Sequence, residues 1–252
     1  MKIKAYGKLN LFLKVIDKKD NYHQLEMVNV LINLHDVLVI KKTKESIKFW
    51  CSEESLNNSN NIVYLVTKKI FNDFKIETGV DIKLFKHIPL ESGLGGESTD
   101  AANTILALDQ LFRLNMSFNY YRNISLEFGY DIMFFLKKMK IAKVLDDGTN
   151  VIPINLPYKQ IFTLIIPDFK VNTKEFFSQY KIVRSDYTID DFIQKNVLHN
   201  DLMTNHPYID EYKKIEETIK EKIYLTGSGS CVYSIGNINI YKKYKSIKVK
   251  TI

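Results

Sequence analysis

Over residues 2–15, Ile3, Ala5, Leu9, Leu11, Leu13 and Val15 share one parity, the period-two pattern of a half-buried strand. Residues 27–40 are apolar enough to predict further strands, with His35-Asp36 as a turn between them. The period then changes. Across 60–74, Ile62, Leu65, Val66, Ile70 and Phe74 recur at helical spacing, and Asn60 or Asn61 is a natural N-cap. Residues 80–86 predict a strand that stops at Pro89. Residues 98–112 predict a helix with Ala101, Ala102, Ile105, Leu108 and Phe112 on one stripe, and 120–128 predict another.

Beyond that point Asp146-Asp147-Gly148 is a turn signal, and Pro153 and Pro157 bracket a polar bend. A boundary near residue 155 divides the chain into 1–154 and 155–252. The second part reads as a strand at 162–166, helices at 174–180 and 209–221, and strands near 224 and 232–235. Strands and helices interleave in both parts without regular βαβ alternation, which predicts an α/β or α+β fold rather than a doubly wound sheet.

Composition narrows the class. With 45% hydrophobic and 26% charged residues in 252, the chain has the balance of a globular protein. No run approaches the ~18 apolar residues of a membrane span. The first residues lack the apolar core of a signal peptide, so the expected location is the cytoplasm. The net charge of +7 rests almost wholly on scattered lysines, since the arginines are only Arg113, Arg122 and Arg184. Nucleic-acid surfaces draw on arginine for bidentate and stacking contacts, so no nucleic-acid partner is expected. Cys51 and Cys231 stand far apart, which indicates neither a zinc site nor a disulfide framework.

The chemistry concentrates in Pro89-Leu90-Glu91-Ser92-Gly93-Leu94-Gly95-Gly96-Glu97-Ser98-Thr99-Asp100, a glycine-rich loop between a strand and a helix. Glycines let backbone amides approach a ligand, and a helix N-terminus adds unpaired N–H donors with partial positive charge. That combination suits nucleotide phosphates, and Ser98 and Thr99 add hydroxyls that can cap the helix or touch a phosphate. The plainer alternative is a glycine turn with Ser98 as N-cap. The loop is not a Walker A motif, because no Gly-Lys-Ser/Thr follows, nor a Rossmann fingerprint.

Four segments in order carry a family resemblance: Ala5-Tyr6-Gly7-Lys8-Leu9-Asn10 followed by Asn21-Tyr22-His23; the glycine loop; Gly129-Tyr130-Asp131-Ile132; and Leu225-Thr226-Gly227-Ser228-Gly229-Ser230. Together they resemble the GHMP kinases over nearly the whole chain. The resemblance implies an α+β GHMP kinase fold, with an N-terminal ATP-binding domain (1–154) like the second domain of ribosomal protein S5 and a ferredoxin-like C-terminal domain (155–252). It implies ATP and Mg²⁺ as cofactors and assigns no residue as a metal ligand; protein oxygens or the phosphates alone could hold the Mg²⁺. Asp131 would be the base that deprotonates the acceptor hydroxyl, and Lys8 would orient it. Pro89, Gly93, Leu94, Gly95, Gly96, Ser98 and Thr99 would hold the phosphates, and Asn61, Ile62 and Lys86 would flank adenine.

The Lys-x-Asn and Tyr-His pairs resemble the branch of the family that serves non-mevalonate isoprenoid precursor synthesis. Its acceptor is a small molecule, cytidine-diphosphate-linked methylerythritol. On that resemblance Tyr22 and Phe177 would sandwich the cytosine, with Phe176 as the other candidate ring. His23 would read the base edge, and Asn10 and Thr173 would contact the rest of the acceptor. A monomer or homodimer is expected. The chain departs from the family pattern at Glu97, Gly7, Asn21, Met133 and, mildly, Asp100. These departures keep open a kinase for another small alcohol, or a non-catalytic nucleotide- or nucleic-acid-binding protein on the same scaffold.

Overall fold

The computed structural model describes residues 1–19, 22–155, 158–183, 185–240 and 243–252, leaving the side chains of Lys19 and Tyr22 outside the description. The predicted bend at Pro157 and the Asn21 departure therefore lie outside the described residues. The chain forms two compact units that interleave in sequence. One comprises Met1–Gly7, Leu34–Ile88 and Gly95–Lys138; the other comprises Lys8–Asn33, Pro89–Leu94 and Met139–Ile252. A single cut near residue 155, as the sequence reading has it, describes a different partition.

Two long strands, β1 (Lys2–Lys19) and β2 (Tyr22–Thr43), run through both units. In the first unit β3 (Ile47–Cys51) lies parallel to β4 (Gly79–Phe85), and β4 is antiparallel to β2 from Val37↔Phe85 to Thr43↔Gly79. The helices are α1 (Ile62–Asp73), α2 (Gly96–Phe112), α3 (Phe118–Phe128) and α4 (Ile132–Leu136). The core joins Leu38, Ile40, Val80, Ile82 and Leu84 from the strands to Val66, Ile70, Ala101, Ile105 and Leu108 from the helices, all fully or almost fully buried. Each large side chain so buried contributes ~1.5–3 kcal/mol.

Three local expectations are corrected here. His35-Asp36 is no turn, because β2 continues through it. The Asp36 carboxylate finds its partners in the backbone amides of His87 and Ile88, not in a local turn. The inward face of α1 is Val63, Val66, Thr67, Ile70 and Phe71, while Leu65 is exposed. Asn61 does cap that helix, accepting from Val63 N at 2.9 Å. Finally, α2 begins at Gly96, two residues early, with Gly95 rather than Ser98 as its N-cap.

In the second unit β5 (Ile141–Leu145) and β6 (Asn150–Pro153) form a hairpin through the predicted turn, closed by Gly148 N to Leu145 O at 3.0 Å. β2 pairs with β5 (Met27↔Val144). A second sheet takes β7 (Ile161–Ile166) at its centre. The remaining elements are α5 (Thr173–Gln179), α6 (Ile189–Lys195), β8 (His199–Asn200), α7 (Ile209–Ile219), β9 (Tyr224–Leu225), β10 (Val232–Ile235) and β11 (Lys245–Lys250). The second sheet runs β11-β7-β10-β9, antiparallel throughout, and β8 joins β1 in parallel. The periodicity reading passes over β3, β5, β6, α6, β8 and β11, most of them short or edge elements whose pairing partners are distant in sequence.

Candidate active site

In the first unit the site begins at the N-terminus of α2. Gly95 takes the left-handed conformation (φ 72°, ψ 27°), which costs a glycine little, and it offers no side chain as a cap. Thr99 N closes the first turn onto Gly95 O at 2.9 Å. The preceding amides of Gly96, Glu97 and Ser98 have no acceptor within the helix and can meet an anion. This donor set fits a phosphate group. Glu97 is exposed and Ser98 half-buried. Thr99 is fully buried, and its hydroxyl accepts from Asn103 Nδ2 at 3.2 Å, so it serves the helix interior.

Behind this turn a Cβ on Gly96 would stand 3.3 Å from Lys86 Nζ. That ammonium, expected beside adenine, is held by Asp36 at 2.5 Å and Asp100 at 2.7 Å. Burial, opposed by Lys86 and reinforced by Asp36, pushes Asp100 up to about 8. Burial pulls Lys86 down, but Asp100 and Asp36 outweigh it and leave the ammonium above its ordinary range. Asn61 is also occupied by the chain, since its Nδ2 donates to Leu56 O at 3.0 Å while its Oδ1 caps α1. Ile62 beside it is half-buried.

Asp131 precedes α4 and makes no capping bond to it. A Cβ on Gly129 would lie 3.8 Å from Ser98 Oγ, so the turn leading to Asp131 rests against the first turn of α2. The structure thus brings Ser98 and the Gly129–Asp131 turn together within one unit.

In the second unit Lys8 is buried, and its Nζ donates to Asn10 Oδ1 at 2.5 Å. The same oxygen accepts from Gly227 N at 2.7 Å, while Asn10 Nδ2 donates to Asn29 Oδ1 at 2.6 Å. Lys8 N donates to Leu94 O at 2.9 Å, and Thr226 Oγ1 donates to Gly93 O at 3.3 Å. Pro89 O accepts from Ser92 Oγ at 2.6 Å, which closes the start of the loop on itself. These bonds tie β1, the stretch Pro89–Leu94 and the Thr226–Gly227 turn into one network. Asn10, expected at the acceptor, is 1% exposed and sits at its centre.

A second cluster in this unit gathers the residues expected at the cytosine. The His23 and Phe177 rings lie 5.1 Å apart with both residues half-buried, and His23 Nε2 is a buried atom with no hydrogen-bond partner. Burial, with help from Lys18, holds His23 below its ordinary range, so it is neutral at pH 7. Phe176 turns away into the core and stacks on His206 at 5.0 Å. Thr173 is exposed, its hydroxyl 2.9 Å from Ser228 Oγ. The Tyr22 side chain lies outside the described residues.

Asn29, assigned no role from the sequence, and Asp36, expected there only as a turn residue, are both fully buried. The available signal was a polar residue inside an apolar strand run, as in Met27-Val28-Asn29-Val30. Among the described residues no group of three or more His, Cys, Asp or Glu is arranged to hold a metal ion, and no helix is long and apolar enough to cross a membrane.

Residues 61–137, which include the glycine-led start of α2 with its uncapped amides, match the GHMP kinases N terminal domain. A 4-diphosphocytidyl-2-C-methyl-D-erythritol kinase from Caldanaerobacter subterraneus subsp. tengcongensis is 35% identical over 94% of this chain and 88% of its own. The Clostridium beijerinckii kinase of that name is 30% identical over 93% and 90%. The crystal structure of a 4-(cytidine 5'-diphospho)-2C-methyl-D-erythritol kinase shares the fold, with a TM-score of 0.79 at 22% identity over 99% of this chain and 98% of that one. The chain belongs to the 4-diphosphocytidyl-2-C-methyl-D-erythritol kinase family of the GHMP kinases.

Proposed function

We propose that this protein transfers the terminal phosphoryl group of ATP to the 2-hydroxyl of 4-diphosphocytidyl-2-C-methyl-D-erythritol, a step of non-mevalonate isoprenoid precursor synthesis. The observation that carries the reading is the N-terminus of α2, where three first-turn amides stand without helical acceptors behind a left-handed glycine. Phosphoryl transfer asks the protein for positioning and charge stabilisation more than for covalent chemistry. The amides of Gly96, Glu97 and Ser98 hold phosphate oxygens. Asp131 accepts the proton of the acceptor hydroxyl. Lys8 supplies a buried positive charge that offsets the charge developing in transfer. Mg²⁺, bound with the triphosphate, would neutralise part of its charge.

The acceptor is read through its base. Phe177 offers a half-buried ring for stacking, and the unpartnered Nε2 of neutral His23 offers a hydrogen bond to the cytosine edge. Tyr22 would complete the sandwich, with Thr173 contacting the acceptor beyond the base. Asn10 acts through Lys8, whose ammonium it holds. Asn61 and Ile62 are assigned to the adenine side, through backbone and apolar contact. The protein acts in the cytoplasm as a monomer or homodimer.

The test is a coupled ATPase assay with the cytidylyl acceptor, mevalonate, homoserine and galactose as alternative substrates. Turnover confined to the first supports the reading. Turnover with another alcohol alone would keep the kinase and discard the acceptor. Binding of ATP without turnover of any acceptor would leave a nucleotide-binding protein.

A further inference from the structure

Behind the first turn of α2 lies a charged cluster that the proposed chemistry leaves unused. The Lys86 side chain is 6% exposed and lies between Asp36 from β2 and Asp100 from α2 itself. Asp36 is fixed in turn by the amides of His87 and Ile88. Asp100 Oδ1 is buried with no hydrogen-bond partner. A cluster of one cation and two carboxyls is a costly way to fill a core, because apolar side chains of similar volume commonly do as well for stability. Its placement supplies the reason. The ammonium lies directly behind Gly96, where an added Cβ would approach it to 3.3 Å.

We propose that Lys86, Asp36 and Asp100 form a positioning cluster for nucleotide affinity, fixing the first turn of α2 and holding an ammonium behind the amides that meet the phosphates. The inference rests on the kinase reading in one respect only, that the anion met there is the triphosphate. With Asp100 neutral, the cluster's charges cancel. With Asp100 ionised, one net negative charge stands behind an anion site. The groups that face Asp100 are Lys86 after β4, Asp36 on β2 and Cys51 on β3, whose thiol burial pushes up. With burial pushing Asp100 up to about 8, the charge behind the site turns unfavourable as pH rises above that value.

The experiment measures the ATP dissociation constant by calorimetry from pH 7 to 9.5, and both substrate KM values, for the wild type, Lys86→Met and Asp100→Asn. The wild type should lose about tenfold in ATP affinity across that range, and Asp100→Asn should give a flat profile. Lys86→Met should raise KM for ATP about tenfold or more while KM for the cytidylyl acceptor stays within about twofold. If Lys86→Met does not fold, the Asp100→Asn profile decides. A purely structural cluster would lower Tm in the variants and leave ATP affinity and its pH profile unmoved, which would overturn the inference alone. A wild type that fails to bind ATP at all would overturn the kinase reading, and the inference with it.

Discussion

A Cβ placed on Gly93 would stand 2.0 Å from the carbonyl oxygen of Thr226. The glycine also has φ 72°, so both space and backbone conformation exclude a side chain there. Because Thr226 Oγ1 donates to Gly93 O, the close approach is part of the network that includes Asn10 and Lys8. Gly93→Ala should destabilise the fold by roughly 2–4 kcal/mol, the combined cost of backbone strain and overpacking. Chemical denaturation measures it, and a loss below about 0.5 kcal/mol would mean that the two stretches can part without consequence.

Asp131→Asn should reduce turnover by ~10²–10⁴ while ATP and the cytidylyl acceptor bind within several-fold of wild type, because only the proton acceptor is removed. Retention of more than a tenth of wild-type kcat would remove Asp131 from the role of base.

The neighbours Phe176 and Phe177 should separate cleanly. Phe177→Ala should raise KM for the cytidylyl acceptor about ten- to a hundredfold, the value of one lost base stack, and leave KM for ATP unchanged. Phe176→Ala should instead cost roughly 3–5 kcal/mol of stability, since that ring is buried against His206 and Tyr180. A rise in KM for both substrates with Phe177→Ala would assign that ring to the core as well.

Glu97 departs from the family's loop pattern, yet its side chain is exposed while its backbone amide belongs to the first turn of α2. Its charge is therefore screened by solvent. Glu97→Gly should change KM for ATP by less than about threefold at moderate salt. A tenfold change in either direction, tracked against ionic strength, would show that the carboxylate faces the phosphates.

Stability should decline on acidification through the histidines. His206 is buried, donates from Nε2 to Ser228 O at 3.0 Å and accepts at Nδ1 from Tyr208 N at 3.1 Å, an arrangement only the neutral ring can make. Burial lowers its pKa, against the opposing Ser228 bond. The folded state therefore binds fewer protons than the unfolded chain below about pH 6.5, so stability present above that value is lost as pH falls toward the folded value. An NMR titration should place the His206 midpoint below 6.5, with Tm dropping over the same range. A midpoint at or above 6.5 would contradict the bonding.

Much of this protein was legible as local chemistry. The Asn61 cap, the apolar stripe of α2 and the Asp146-Asp147-Gly148 hairpin depend on neighbours within a few residues, which the chain carries in order. The kinase motifs were legible through their order along the chain, four short runs each weak alone. Where the reading slipped, the deciding partner was distant. Asp36 looked like a turn residue until the amides of His87 and Ile88, 51 and 52 positions away, gave its carboxylate a place inside β2. Ser98 looked like the cap of α2, but the left-handed Gly95 starts the helix earlier. Lys86 carried a motif position in the sequence; in the fold two buried carboxyl groups take its ammonium. Spacing along the chain singled out the residues proposed here to meet a phosphate and a base. Which of those side chains meet a ligand and which hold the others in place was decided only by the tertiary structure, because buried polar groups must find partners wherever the fold supplies them.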